Sequence, residues 1–240
     1  MASNRGKERE NEDETEDSAC RMEPKRIMEA LPRDDALLQY TTRKQAHVPI
    51  TITLKHSADI ADEELAVCFD LIETSSSADY KTSSGGWHPD AKKEEMIDPQ
   101  MWYLLARRTT RDDPVPVKAM APILPSSQAP APVIGFLSFM FTNDDDPPER
   151  TVLYIYEVHL AEEMRSCGLG SHLVHIAETL AKRCGIDKAM LTVFTANKLA
   201  IKLYENLGYE KDACSPADRV VRRRVIEAEY KILSKLQIVA

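Results

Sequence analysis

One segment constrains the fold of this chain more than any other: an apolar strand that runs into a glycine-containing turn and then into an amphipathic helix. The strand, residues 152–160 (VLYIYEVHL), is rich in β-branched and aromatic residues, which is typical of a buried strand. It nevertheless holds a carboxylate, Glu157, near its centre. A charge in a core strand must be paired or must have a chemical task, so this strand is the first candidate for a functional site.

The turn that follows, RSCGLGS at residues 165–171, has the composition of an anion-binding loop. Gly168 and Gly170 let backbone N–H groups approach a ligand closely, at the start of the helix predicted for residues 169–184. Free amides and the helix dipole favour an anion there, and Arg165 adds positive charge. The motif is neither a Walker A loop nor a full dinucleotide fingerprint, so a plain helix start with a tight turn is the alternative.

Hydrophobic periodicity predicts strands and helices along most of the chain. Strands are predicted at residues 49–55, 101–107, 133–141, 152–160, 188–194 and 226–233, and helices at residues 59–81, 90–96, 169–184 and 198–206. A short turn of aspartates and prolines joins strands 133–141 and 152–160, so we expect these two to pair antiparallel. A β-α-β unit follows this hairpin.

Composition divides the chain into three parts. Residues 1–22 are charged and cannot bury enough apolar area to fold, which predicts a disordered acidic tail or an acidic arm for a basic partner. Residues 23–48 hold a weak helical pattern broken by Pro32, which predicts a helical brace packed on the domain. The domain is assigned to residues 49–235 and includes a proline-rich loop insertion at residues 108–132.

Charge and cysteine content argue against several classes of protein. The net charge of -8 disfavours direct binding to a nucleic-acid backbone. The five cysteines form no CxxC pair, and His172 and His175 have no third ligand at a suitable spacing, so no disulfide framework or metal site is expected. No apolar run reaches the ~18 residues of a membrane span or forms a signal peptide, so we expect a protein of the cytoplasm and nucleus without membrane contact.

The order of elements and the RSCGLG turn resemble the GCN-five-related N-acetyltransferase (GNAT) family, whose motif is [Arg/Gln]-x-x-Gly-x-[Gly/Ala]. An ordered set of segments resembles, more narrowly, the NatD-type histone N-terminal acetyltransferases: FDL, GW, KEEM, WYL, LYIYEVHL, GLG, MLTVF and EYKIL, between residues 65 and 233. The resemblance implies an α/β (α+β) GNAT fold, with a mixed, mostly antiparallel central sheet flanked by helices.

The same resemblance implies an enzyme that moves the acetyl group of acetyl-CoA onto the free N-terminal amine of histones H-four and H-two-A, which begin Ser-Gly-Arg-Gly. It implies acetyl-CoA as co-substrate, no metal, histone N-terminal peptides as partners and a monomer. Gly85 stands where the family carries a tryptophan, so an N-terminal or lysine acetyltransferase with another substrate is the close alternative. A non-catalytic histone-binding module is the other; Glu157, the RSCGLG turn and Asn197 argue against it.

Site residues follow from the resemblance as well. Backbone groups of Val158, His159 and Leu160 are expected to hold the pantetheine arm, with the amide near Val158 as oxyanion donor. Further cofactor contacts are expected at Arg165, Ser166, Cys167, Gly168, Leu169, Gly170, Ser171 and Asn197. Substrate contacts are expected at Tyr80, Thr142, Asn143, Asp144, Tyr154, Tyr156, Thr192 and Tyr230. Tyr204 occupies the place of a tyrosine general acid in many GNAT enzymes, and a core-packing role is equally open.

Glu157 is the predicted catalytic base, with Tyr156 as the second catalytic candidate. The attacking amine must be neutral, although a free α-amino group titrates near ~7.7–8.0. Partial burial is expected to raise the pKa of Glu157 and make it a better base, directly or through a water. Strand alternation predicts Glu157 on the face of Ile155 and His159, opposite Tyr156, unless a bulge changes the pattern. A structural glutamate paired with a lysine or arginine is the alternative.

Overall fold

The structure is a computed structural model that describes residues 22–42, 47–109, 131–144, 149–221 and 224–236. The predicted acidic tail at residues 1–22 and the predicted insertion at residues 108–132 lie almost entirely outside this part. The α-helices within it are α1 Pro24–Ala30, α2 Asp62–Thr82, α3 Pro89–Met96, α4 Leu169–Arg183 and α5 Lys198–Asn206. The strands are β1 Gln39–Thr41, β2 Pro49–His56, β3 Trp102–Arg108, β4 Val133–Asp144, β5 Arg150–Leu160, β6 Lys188–Phe194, β7 Glu210–Lys211, β8 Arg219–Val221, β9 Arg224–Ile226 and β10 Tyr230–Leu236.

One sheet carries the fold, with the spatial order β1-β2-β3-β4-β5-β6-β10-β7. Its neighbouring strands run antiparallel except β5 and β6, which run parallel because α4 carries the chain across the sheet between them. β8 and β9 form a separate two-stranded hairpin. The sheet is therefore mixed and mostly antiparallel, and the predicted fold class is confirmed.

Each face of the sheet is covered by a different set of helices. On one face, apolar residues of α1 and α4 such as Ile27 and Leu173 pack with Leu137 and Leu191 of the strands. On the other face, α2 contributes Phe69 and Ile72, and these form a second core with Met96 of α3 and with Tyr103 and Phe136 of the sheet. Central strands buried on both sides explain why β3 and β4 read as nearly continuous apolar runs.

A β-bulge interrupts β5 at Tyr156. Ser138 of β4 pairs with Glu157 and the next residue, Phe139, pairs with Ile155, so Tyr156 has no partner in the register. The extra residue reverses the alternation of side chains, and Glu157 joins Tyr156 on the α2/α3 face while Ile155 stays in the α4 core. The alternation predicted without a bulge is therefore wrong for Glu157, and the bulge is the reason.

β5 and β6 pair only at residues 153–155 with residues 189–191. Beyond Ile155 the two strands separate, and among the described residues no strand pairs with that edge of β5. The gap ends at the turn before α4. An open strand edge offers backbone N–H and C=O groups to a ligand. The unpaired part of β5 offers such groups beside the glycine-containing turn.

Most predicted elements are confirmed, and the departures have local causes. Residues 188–194 and 198–206 form the predicted strand and helix. The last strand was expected at residues 226–233, but Ile226 closes the β8–β9 hairpin and the sheet strand begins only at Tyr230. In the brace, β1 was not anticipated. No helix in the described ranges is long and apolar enough to cross a membrane.

Candidate active site

Glu157 lies at the centre of the candidate site, only 9% exposed, with both carboxylate oxygens engaged. The Lys92 ammonium of α3 donates to Oε1 at 3.0 Å. The Tyr80 hydroxyl of α2 donates to the same oxygen at 3.5 Å. The ring of His159, two residues further along β5, brings Nε2 to 2.6 Å from Oε2. The ion-paired glutamate considered from the sequence is therefore present, within a cluster that also faces the gap between β5 and β6.

The ionisation of Glu157 differs from the sequence-based expectation. Burial raises its pKa, but the charge and hydrogen bond of His159 and those of Lys92 outweigh this and lower the pKa to about 2. The prediction of a raised pKa is therefore wrong, because the sequence does not show the two partners that α3 and β5 bring to the carboxylate. Glu157 is therefore a carboxylate at neutral pH that binds a cation, and it becomes a stronger proton acceptor when one of these two partners leaves it.

Aromatic rings surround the Lys92 end of the carboxylate. The Tyr80 ring lies 4.9 Å from that of Phe194 and 5.4 Å from that of Trp87, measured between centroids. The Lys92 ammonium lies 5.3 Å from the centre of the Tyr80 ring, within the range of a cation–π contact. An ammonium group thus already occupies a pocket made of one carboxylate and an aromatic wall.

The other predicted aromatic contacts lie on the same face of the sheet. Tyr154 and Tyr156 contact each other at 5.2 Å, and the Tyr154 hydroxyl lies 2.6 Å from Thr192 Oγ1. Tyr230 pairs with Phe194 across β10 and β6 and is 41% exposed. The structure therefore brings five of the predicted substrate residues together, in a strip that leads outward from Glu157.

The predicted contacts on β4 are placed differently. Met140 of β4 pairs with Tyr154, so Thr142, two residues further along β4, lies on the same face as Tyr154. Asn143 points to the opposite face. Asp144 is buried, and Lys188 donates to its Oδ2 at 2.6 Å. Lys188 also pairs with Asp212 at 2.9 Å. The Asp144 carboxylate is thus part of a structural ion cluster, and its role toward a substrate stays a prediction.

The glycine-containing turn has the backbone of an anion cradle. Ser166 and Gly168 have φ values of 58° and 90°, and Gly168 is the N-cap of α4. A Cβ on Gly168 would lie 2.6 Å from the Tyr40 hydroxyl, which donates to the carbonyl of Cys167 at 2.8 Å. The exposed Arg165 begins the turn and donates to the Leu160 carbonyl at 3.3 Å. Backbone amides at a helix start beside an arginine fit a pyrophosphate group.

The end of β5 meets both later helices at this turn. A Cβ on Gly170 would contact Leu160 at 3.7 Å and Leu203 of α5 at 3.8 Å. Asn197, the predicted CoA contact, caps α5 by accepting from the Ala200 amide at 3.1 Å. Val158 and Leu160 lie on the unpaired part of β5. The cofactor roles of Val158, Leu160, Leu169, Ser171 and Asn197 remain predictions; Gly170 lies between the end of β5 and α5, the helix that Asn197 caps.

Tyr204 is packed in the α4 core against Tyr209, with ring centroids 5.7 Å apart. Burial, and then the nearby Glu157 charge, raise the pKa of Tyr204. The phenol therefore keeps its proton at neutral pH, which suits both a general acid and a core residue. No cluster of three or more potential metal ligands occurs among the described residues.

Sequence reasoning missed three residues that build the site. Lys92 directly precedes the KEEM segment, but its contact with Glu157 depends on how α3 lies over the sheet. Ser75 of α2 binds the far nitrogen of His159 at 2.6 Å, across 84 positions of sequence. Tyr40 supports the anion turn from β1, a strand that was not predicted. The only sequence signal among these contacts was the spacing of Glu157 and His159, which places both side chains on one face.

The sequence profile of the Acetyltransferase (GNAT) family matches residues 91–209, which contain the gap, the anion turn and Glu157. The chain belongs to this family of acetyltransferases. A curated relative, N-alpha-acetyltransferase 40 of Saccharomyces cerevisiae, is 35% identical over an alignment of 101 residues that covers 35% of this chain and 35% of the relative. The chain thus matches only about a third of that relative's length.

The fold has a counterpart among solved structures. An acetyltransferase from Streptococcus agalactiae superimposes with a TM-score of 0.51 at 15% identity, covering 77% of this chain and 98% of that chain. Arabidopsis thaliana NAA60, crystallised in complex with a bisubstrate analogue, gives a TM-score of 0.48 at 13% identity and covers 78% and 99%. At such identities the likeness concerns the fold alone.

Proposed function

We propose that this protein is an acetyl-CoA-dependent N-α-acetyltransferase that acts, as a monomer of the cytoplasm and nucleus, on histone N-termini beginning Ser-Gly-Arg-Gly. One observation carries the proposal: a buried, ionised Glu157 already binds an ammonium group inside an aromatic pocket at the mouth of the β5–β6 gap. A substrate N-terminus is also an ammonium group, and it would enter beside a backbone edge suited to the thioester arm. The similarity to N-alpha-acetyltransferase 40 supports an α-amine as the acceptor.

The chemistry requires a neutral amine that attacks the thioester carbonyl. The new C–N bond forms, the C–S bond breaks, and CoA leaves as the thiol. The amine proton passes to Glu157, directly or through a water, and an amide N–H of the unpaired part of β5 is the simplest oxyanion donor. The protonated Tyr204 and water are the two candidate proton sources for the departing sulfur.

The strip of tyrosines supports a peptide substrate. Tyr80, Tyr154, Tyr156 and Tyr230 offer ring faces and hydroxyls along a path that leads outward from Glu157. Rigid aromatic residues hold a flexible segment at low cost in conformational entropy. The net charge of -8 favours a basic peptide, as histone N-termini are.

The test is acetyl transfer from acetyl-CoA to a Ser-Gly-Arg-Gly peptide and to an otherwise identical peptide with a blocked N-terminus. We expect transfer to the free peptide alone. Glu157→Gln should lower kcat by roughly 10²–10⁴-fold, the range of a general base. Glu73→Gln, an exposed position on α2, is the matched control and should leave kcat unchanged.

Binding of CoA, measured by calorimetry, completes the design. CoA binding without transfer to either peptide would contradict the proposed substrate, and equal transfer to the blocked peptide would indicate a lysine acetyltransferase. Failure to bind CoA would favour a histone-binding module that retains only the fold.

A further inference from the structure

The ring of His159 joins the candidate base to α2. Nε2 lies 2.6 Å from Glu157 Oε2, and Nδ1 lies 2.6 Å from the Ser75 hydroxyl. The ring is buried and packs at 5.6 Å from that of Phe136, so its orientation is fixed. Both nitrogens therefore have defined partners, and neither is left to solvent.

The hydrogen bonds that join Glu157, His159 and Ser75 share a small and definite number of protons. Because Glu157 is ionised and only accepts, Nε2 must carry the proton of the bond that it shares with Oε2. Ser75 has a single hydroxyl proton, and its oxygen lies 2.6 Å from both His159 Nδ1 and the Leu71 carbonyl. With a neutral ring, the hydroxyl donates to Nδ1. With a charged ring, Nδ1 donates to Ser75 and the hydroxyl turns to the Leu71 carbonyl.

Both protonation states of His159 are thus fully hydrogen-bonded without movement of any heavy atom. The two states differ in their effect on Glu157, since a neutral ring presents only an N–H dipole while a charged ring presents a full positive charge at 2.6 Å. A carboxylate beside a second full positive charge accepts a proton less readily. The state of the ring therefore sets the strength of the candidate base.

We propose that His159 is a positioning residue for acetyl transfer: its Nε2–H fixes the Glu157 carboxylate, and proton gain at Nδ1 weakens that carboxylate as a base. This role rests on the proposed function and adds a residue for which only backbone contacts were expected. Ser75 serves both states of the ring as donor or acceptor.

The other ionisable groups around this pair are Lys92 and Glu95 of α3, which form an ion pair, and Tyr80 of α2, Tyr103 of β3 and Tyr204 of α5. Lys92 and the three tyrosines keep their protons through the neutral range because the pKa of each is raised. Burial lowers the pKa of Lys92, but Glu157, Tyr80 and Glu95 together outweigh this and the pKa is raised. Burial raises the pKa of all three tyrosines. Imidazole is the side chain that ordinarily titrates between pH 5 and 8.

The experiment is the pH profile of kcat/KM for the free Ser-Gly-Arg-Gly peptide, with saturating acetyl-CoA, in the full-length protein and in His159→Gln. Glutamine keeps a neutral N–H donor close to the position of Nε2 but cannot gain a proton. We expect the acidic limb of the wild-type logarithmic profile to be steeper than a slope of 1, because proton gain by the His159 ring adds to proton gain by the amine. The variant should keep a slope of 1, from the amine alone, and should therefore lose less kcat/KM than the wild type between pH 8 and pH 5.5.

Two controls make the result specific. His175→Gln replaces an exposed histidine on α4 and should follow the wild-type profile. ¹⁵N spectra of the labelled histidines, independent of activity, should show His159 protonated at Nε2 above and below neutral pH. Superposed profiles for the wild type and His159→Gln, or a neutral ring protonated at Nδ1, would overturn the role of His159 alone. Absence of transfer by the wild type would overturn the proposed function, and this role with it.

Discussion

Glu157 is held by two side chains that carry or can carry positive charge, Lys92 on one oxygen and His159 on the other. Lys92 has a second carboxylate partner, Glu95, at 2.7 Å. It can therefore give up Glu157 without becoming unpaired, which would open one carboxylate oxygen to an incoming ammonium. Glu157 and the Tyr80 ring thus form an ammonium pocket, and the Lys92 side chain of the same protein occupies it.

Substitution of Lys92 by methionine removes the internal competitor. The site gains negative charge while the aliphatic stem is kept, so the KM for a peptide with a free N-terminus should fall by roughly tenfold, about 1.4 kcal/mol. Steady-state kinetics at neutral pH measure this directly. Lys93→Met changes the net charge equally from an exposed neighbouring position and should leave the KM unchanged. An equal effect of the two substitutions would contradict a local competition at Glu157.

Gly85 stands where the NatD-type enzymes that the sequence resembles carry a tryptophan. A Cβ there would meet only Ser83 Oγ, at 3.9 Å, so the backbone accepts a side chain. Gly85→Trp should add an aromatic wall close to Trp87 and lower the peptide KM by several-fold, with little change in the free energy of unfolding. Kinetics with the Ser-Gly-Arg-Gly peptide test this. Gly85→Ala distinguishes the effect of the indole ring on KM from the effect of losing the glycine. A higher KM for the tryptophan variant would show that Gly85 keeps the entrance open.

Among the secondary-structure elements, the glycine-containing turn at residues 165–171 depends on β1, a strand that the sequence does not predict. β1 has three residues, and its Tyr40 both donates to the turn and stacks on His172 of α4 at 4.6 Å. Short edge strands carry too few residues for a period-2 pattern, so they escape prediction. The long segments with a clear period, such as α4 and β6, were predicted almost to the residue.

The packing of Tyr40 on Gly168 can be tested by a double-mutant cycle. Gly168→Ala should destabilise the protein by about 2–4 kcal/mol, because φ is 90° and the new methyl group would meet the Tyr40 hydroxyl. Tyr40→Phe removes that hydroxyl, so the double variant should cost about 1 kcal/mol less than the sum of the single changes. Urea unfolding supplies the three free energies. Strict additivity would contradict the predicted contact.

The site itself was predicted in outline rather than in contacts. The sequence located Glu157, the anion turn and the tyrosines because these lie in recognisable segments. It could not show Lys92 or Ser75, since a helix's rotation over a sheet is decided by packing across the whole domain. The bulge at Tyr156 had the largest effect, because one extra residue moves Glu157 to the other face of the sheet.

For the molecule as a whole, the buried ion pairs make the free energy of unfolding depend on pH. The pKa of Glu157 is lowered to about 2 from its ordinary 4.5, so between these values the unfolded chain binds more protons than the native protein. The stability from this carboxylate is complete above pH 4.5 and is lost as the pH falls toward 2. Asp212, whose pKa is also lowered, acts in the same direction.

The free energy of unfolding should accordingly decrease on acidification from pH 6 to pH 3, with a shallower decrease in Glu157→Gln. Urea titrations at several pH values measure both slopes. Removal of one partner from a buried pair should also lower the stability of this variant at pH 6 by about 3–5 kcal/mol. Equal slopes in both proteins would show that Glu157 does not carry the acid sensitivity.

The central claim is tested with a single peptide that has two acceptor amines, its N-terminal α-amine and a lysine ε-amine. The peptide begins Ser-Gly-Arg-Gly and carries a lysine further along, and tandem mass spectrometry locates the acetyl group after reaction with acetyl-CoA. The proposed function predicts acetylation of the N-terminal amine alone, and the role of Glu157 as base predicts a greatly reduced signal in Glu157→Gln. Acetylation of the lysine, or an unchanged signal in the variant, would contradict the assignment of this site to N-terminal acetyl transfer.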